Sequence, residues 1–185
     1  MIKNQVNIEN VNGDLYFKDS PEQKVDSVVS SLLTEISMEP VSDLSTRKRK
    51  IPSDVVVKVK HNNLKTQRYI LSQYQSYAAS IETSYEIIDK NITNGKAKVF
   101  MMLDNLYVKA LSDIGIDPFF DDIDMDLIRQ NSDGIIKSIV SGLKKFCYES
   151  SNVPSDKESV EIGVNVVVAH AFVECRVLEN PNDTL

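Results

Sequence analysis

The residues most suited to chemistry begin with a group of aspartates in the middle of the chain. Asp122, Asp124 and Asp126 have the alternate spacing with which carboxylates bind hard cations, and Asp133 falls where a calcium loop places its last ligand. Leu127, however, stands where such a loop needs glycine, and its last ligand is normally glutamate. We therefore predict that these aspartates cap helices and pair with helix dipoles, and we predict no metal or cofactor site.

A histidine and a cysteine near the C-terminus are the next candidates. His170 and Cys175 are five residues apart on one predicted helix, so their side chains diverge by about 140° and cannot form a nucleophile–base pair. Glu174 follows His170 at i+4 and can hold a proton on the imidazole. We predict that His170 is a core or interface histidine. Because the sequence also lacks hydrolase, phosphate-loop and zinc-protease motifs, we predict that the protein is not an enzyme.

A basic stretch offers a different kind of site, one for phosphates or for an acidic protein surface. The whole chain of 185 residues carries a formal charge of −6, so it has no overall basic footprint. The local cluster still has the charge to contact nucleic acid, and the two kinds of partner remain open. Its residues are Arg47, Lys48, Arg49 and Lys50, followed by Lys58, Lys60, Lys65 and Arg68.

The elements that position these residues begin with a predicted β-hairpin over residues 5–17. β-Formers flank Asn12-Gly13, a pair that provides the positive φ angles of a tight turn. Two strands alone are barely stable in water, so we expect the hairpin to add strands to a partner. An amphipathic helix over 21–37 follows, with Ser20 as its N-cap. Residues 38–50 read as a basic linker.

The rest of the chain reads as helical. The apolar spacing and the caps predict helices that begin at Ser53 and then cover about 65–91, 96–113, 124–130, 133–149 and 156–178. Ser155 and Glu158 form a capping box before the last of them. That last helix is apolar nearly all round, which places it in the middle of a bundle or under a partner chain.

The predicted fold class is therefore mainly α: a helical bundle body with a short N-terminal β-hairpin and amphipathic helix. The predicted division is an N-terminal partner-binding element at 1–37, the linker at 38–50 and an interaction domain at 51–185. No apolar stretch approaches the roughly 20 residues that span a bilayer, and the first residues lack the apolar core of a signal peptide. We expect a cytoplasmic protein that does not contact membranes.

Three stretches carry a resemblance to a known family. IPSDVVVKVKHNNL at 51–64 and AHAFVECRVLENPND at 169–183 resemble the opening and closing helices of C-terminal domains from bacterial ABC three-component (Lamassu-like) conflict systems. LDNLYVKAL, between them, resembles the helix that carries a Leu-Tyr pair in those domains. The resemblance implies a helical domain that docks or dimerises an effector beside an SMC-like ABC ATPase and a middle component. Residues 1–50 are too short for the usual effector enzyme, and the ATP-site motifs are absent.

These observations predict a non-catalytic interaction and oligomerisation subunit of such an antiphage or antiplasmid defence complex. We expect a homodimer or higher oligomer, together with the ATPase and a separate effector or middle component, and at most indirect contact with DNA. The alternative is a small helical nucleic-acid-binding protein that uses residues 47–68. The expected interface residues are Val6, Ile8, Leu15, Phe17, Val164, Val168, Phe172 and Cys175.

Overall fold

A computed structural model describes residues 10–11, 14–15, 24–38, 51–120 and 122–182 of the chain. The described residues form six helices packed round one core, which confirms the mainly helical class. The helices are α1 (Val28–Met38), α2 (Ser53–His61), α3 (Tyr69–Asn91), α4 (Gly95–Asp113), α5 (Met125–Glu149) and α6 (Lys157–Val173).

The last helix, α6, lies at the centre of the bundle. Its residues from Gly163 to Phe172 are all buried, and it packs against α1, α3, α4 and α5. Five valines make it a poor helix in isolation, but burial on every side offsets that weak propensity. Gly163 marks the closest approach, because a Cβ there would lie 2.8 Å from the Leu33 side chain on α1. Of the two positions that the sequence left open, the structure shows the bundle centre.

The first helix begins later than the sequence predicted. Residues 24–27 precede α1 as non-helical chain, so the helix does not extend back to residue 21 through this region. Ser27 accepts a hydrogen bond from the Ser30 N–H and acts as the cap, while Asn152 contacts the backbone N–H and carbonyl of Ser27. Leu32 and Leu33 are fully buried, so α1 belongs to the same core as the body rather than to a separate element.

The fifth helix is continuous where the sequence predicted two helices. Asp133 does not cap a new helix, because its carboxylate accepts hydrogen bonds from the backbone N–H groups of Lys65, Thr66 and Gln67. Those donors lie at the entry to α3, where backbone N–H groups lack helical partners. Asp124 caps α5 itself by accepting from two N–H groups of its first turn. These two aspartates therefore have the capping roles that the sequence predicted.

Both ends of α6 differ from the sequence prediction. Asp156, rather than Ser155, is the N-cap, and it accepts from the backbone N–H and hydroxyl of Ser159. The helix ends at Val173, because Cys175 adopts a left-handed φ of 57°. Beyond it, the fully buried Asn62 at the end of α2 donates to the Glu179 carbonyl and accepts from the Glu179 N–H.

Two short strands are described near the N-terminus. β1 (Asn10–Val11) and β2 (Asp14–Leu15) pair antiparallel, with Asn10 opposite Leu15 and Val11 opposite Asp14. The rest of the expected hairpin over 5–17 lies outside the described residues. A ladder of two residues a strand does not establish the longer hairpin, which stays a prediction.

We predict that Asp133→Ala lowers the free energy of unfolding by about 1–3 kcal/mol, because three N–H donors lose their acceptor. Chemical denaturation at pH 7 measures this loss. Asp113→Ala removes an exposed aspartate at the end of α4 and is the matched control. Equal stability of the two variants would contradict the capping role.

Candidate functional site

The structure places the expected interface residues in two different environments. Val164, Val168 and Phe172 are buried beneath helices of the same chain, so in this fold they present no surface to a partner. Cys175 is exposed. Leu15 lies in β2, whereas the positions of Val6, Ile8 and Phe17 fall outside the described residues.

The basic stretch is divided in a similar way. Lys58 is buried, donates to the Phe172 carbonyl at 2.8 Å and lies over the Phe172 ring, so its charge closes the C-terminal end of α6. Lys60, Lys65 and Arg68 are exposed. Residues 47–50 lie outside the described part of the chain.

A polar cluster centred on His170 is the most developed group of titratable side chains. The imidazole is fully buried, and its Nε2 lies 2.8 Å from Oε1 of Glu82 on α3. Glu174 approaches the same nitrogen at 3.9 Å. Lys96 on α4 donates to the other oxygen of Glu82 at 3.0 Å. An ionised carboxylate only accepts, so Nε2 carries the proton that is shared with Glu82.

Aromatic rings enclose this imidazole. The ring centroids of Tyr74, Tyr85 and Phe100 lie 5.8, 5.3 and 5.9 Å from that of His170. Neither Nδ1 of His170 nor the buried hydroxyl of Tyr85 has a hydrogen-bond partner among the described residues. Unsatisfied buried polar atoms are rare, and they commonly mark a functional site.

The pKa values reflect burial against charge. Burial lowers the pKa of His170 below its ordinary value, although hydrogen bonding to Glu82 and the charges of both glutamates act in the opposite direction. Burial raises the pKa of Glu82, but hydrogen bonds from Lys96 and His170 outweigh it, so the net pKa is lowered. Burial, then the two carboxylates, raises the pKa of Tyr85 well above its usual range. Near neutral pH the cluster therefore holds a neutral imidazole beside ionised Glu82.

Sequence reasoning found half of this cluster. The i+4 spacing identified Glu174 as a partner of His170, but the shorter contact is with Glu82, which lies 88 residues away in the sequence. Glu82 is one of several polar residues on the outer side of α3, so the pattern did not distinguish it. Only the packing of α3 on α6 brings it to the imidazole.

A second feature is an apolar groove between α1, α4 and α5, which we call the α1–α4–α5 groove. It has a volume of about 320 Å³. Met101 and Phe146 are 64 % and 39 % exposed along it, and the oppositely charged Asp26 and Lys98 also line it. Its lining is Asp26, Ser27, Val28, Val29, Lys98, Met101, Met102, Asn105 and Phe146.

Comparisons with protein-family models, with curated proteins and with solved structures found no match. In the described part of the chain, no helix combines the length and the apolarity that crossing a bilayer requires.

We predict that the protein loses stability as the pH falls from about 6.5, the ordinary pKa of histidine, toward the lowered pKa of folded His170. Over that window the unfolded chain takes up a proton that the folded chain does not. The groups that face the imidazole, Glu82, Glu174, Lys96 and the two tyrosines, keep their places as the pH changes.

Urea denaturation between pH 7.5 and 5.5 measures this effect. A fall in stability of about 1.4 kcal/mol is expected for each pH unit by which folding depresses the pKa. His170→Gln should flatten the slope, provided that its far-UV circular dichroism matches the wild type at pH 7.5. Identical slopes in the two proteins would contradict the assignment.

Proposed function

We propose that this chain is a non-catalytic interaction and oligomerisation subunit, and that it self-associates through the α1–α4–α5 groove. The observation that supports this most strongly is the exposure of Met101 and Phe146 along one apolar depression. Large apolar side chains scattered singly need no explanation, but side chains grouped in a groove are typical of binding surfaces.

A second copy of the chain is the occupant that the charges favour. A two-fold interface brings the same patch of both chains together, so each feature must meet a complementary one. The groove carries an exposed acid, Asp26, on the α1 side and an exposed base, Lys98, on the α4 side. In an antiparallel arrangement Asp26 of one chain faces Lys98 of the other, while the apolar residues meet between them.

The wider role that we propose is in a three-component ABC-ATPase defence complex. It rests on the resemblance of residues 51–64, 103–111 and 169–183 to the C-terminal domains of such systems. In that role an SMC-like ATPase and a separate effector or middle component would bind the oligomer. The N-terminal residues that include β1 and β2 would supply strands to one of these partners.

Met101→Lys and Phe146→Lys should each weaken self-association at least about tenfold, which is about 1.4 kcal/mol, because each buries an unpaired charge in the interface. Sedimentation velocity at micromolar concentrations measures this, and the wild type is expected to be dimeric there. Phe120→Lys makes the same change at a side chain that is 88 % exposed outside the groove, and it should dimerise like the wild type. A monomeric wild type, or an equally weakened control, would exclude the groove interface.

The defence role has a separate test. We expect a gene for an SMC-like ATPase beside the gene for this chain, and we expect the two purified proteins to form a complex in size-exclusion chromatography. Loss of that complex in a variant that lacks residues 1–23 would assign the contact to the N-terminal strands. A stable dimer that binds no such ATPase would retain the oligomerisation role and remove the defence role.

The alternative function is nucleic-acid binding through residues 47–68. Exposure of Lys60, Lys65 and Arg68 on and just after α2 favours it, whereas Lys58 is committed to the end of α6. Phosphate contacts by the exposed bases would give binding that weakens steeply as salt increases.

Replacing Arg47, Lys48, Arg49 and Lys50 together with alanine tests this alternative. Each lost phosphate contact should reduce the slope of log K against log salt by about 0.9 on duplex DNA. Fluorescence anisotropy with a labelled duplex measures the slope for both proteins. If the wild type shows no salt-dependent binding, the nucleic-acid function is excluded.

A further inference from the structure

We propose that Glu82, His170 and Glu174 form a binding site for a divalent transition-metal ion. The inference is independent of the oligomerisation role, because the three residues lie outside the α1–α4–α5 groove. They come from two helices, α3 and the end of α6, and one ligand atom from each lies within 4.8 Å of the others.

The distances suit coordination after small side-chain movements. Nε2 of His170 lies 2.8 Å from an oxygen of Glu82 and 3.9 Å from an oxygen of Glu174. Ligand atoms at the usual zinc bond lengths of about 2.0–2.1 Å in a tetrahedron are about 3.3 Å apart. The observed separations lie on either side of that value, so rotation of the two glutamate side chains is sufficient.

The three side chains differ in their access to solvent. The imidazole is fully buried, whereas the side chains of Glu82 and Glu174 are 48 % and 46 % exposed. An ion can therefore enter from the carboxylate side and meet a rigid nitrogen at the bottom of the site. Three protein ligands leave a fourth tetrahedral position for water.

Two further groups point to a ligand in this place. The Tyr85 hydroxyl is buried without a partner, and it lies close enough to both glutamates to sense their charge. A metal-bound water at the fourth position would offer that hydroxyl a hydrogen bond. Lys96 binds the Glu82 oxygen that does not face His170, so it orients the carboxylate as outer partners of metal ligands do.

Proton balance defines how binding must proceed. In the metal-free chain Nε2 carries the proton donated to Glu82, so coordination needs that proton moved to Nδ1 or released with the imidazole rearranged to its other neutral form. No described residue accepts a hydrogen bond at Nδ1. Missing outer partners typically cost ten- to a hundredfold in metal affinity, so we expect micromolar rather than nanomolar binding.

The ligand set also selects the type of metal. One imidazole and two carboxylates suit Zn²⁺, Co²⁺ or Mn²⁺, whereas Ca²⁺ and Mg²⁺ favour sites made of oxygen alone. We therefore expect the first group to bind in preference to the second. Acidification should release the metal, because protons compete for the same three groups.

The experiment uses the full chain with Co²⁺ as a spectroscopic probe and Zn²⁺ as the competitor. One equivalent of Co²⁺ should give visible absorption bands of four-coordinate intensity, and Zn²⁺ should abolish them. Saturating Zn²⁺ should raise the melting temperature by about 5 °C or more. Absence of both effects at a hundredfold excess of metal would overturn the proposal.

Variants then assign the ligands. Glu82→Gln and Glu174→Gln keep the shape of the side chains and should each weaken Co²⁺ binding at least about tenfold. Glu149→Gln, a change of the same kind at an exposed residue of α5, is the matched control and should bind like the wild type. Cys175→Ser should also retain binding. If instead only Cys175→Ser abolishes it, the ion sits on the exposed thiol and the proposed site is wrong.

Discussion

The structure depends on enclosing one apolar helix on all sides. α6 has too many valines to be helical by preference, and its apolar surface has no polar face to turn toward water. Four other helices must therefore surround it, and their apolar faces supply the core. The close contact at Gly163 allows α1 to pack against α6 without displacing Leu33. This packing explains why α1, distant in sequence from the body, is part of the same core.

Burial of α6 also determines how its few polar groups are used. Asn165 donates to Gln73 and His170 pairs with Glu82, and both partners lie on α3. An apolar helix can rotate about its axis at little cost, but two polar contacts with one neighbour fix its rotation. Lys58 meets the final carbonyls of α6 from α2. The polar residues therefore supply orientation, while the apolar residues supply most of the stabilisation.

Local patterns in the sequence were sufficient for the number and kind of most elements. The bounds of α3 and α4 follow from apolar spacing, and α2 follows from its start at Ser53 and its stop at Asn62-Asn63. The errors arose where a polar side chain had two partners to choose from. Asp133 resembled a cap for its own segment but bonds the entry to α3, and Ser20 resembled a cap that Ser27 supplies. The contact between Glu82 and His170 could not be read at all, because no local pattern encodes a pairing across 88 residues.

The Asn62 side chain joins two parts of the molecule that would otherwise open separately. It binds the last turn of α2 through the Lys58 carbonyl and the C-terminal segment through both backbone groups of Glu179. Tyr107 on α4 binds the Glu179 carboxylate from another side. Local opening of the C-terminal segment must therefore break contacts with two helices at once. The amide hydrogens of this irregular segment should exchange with solvent as slowly as those of α2, in one cooperative unit.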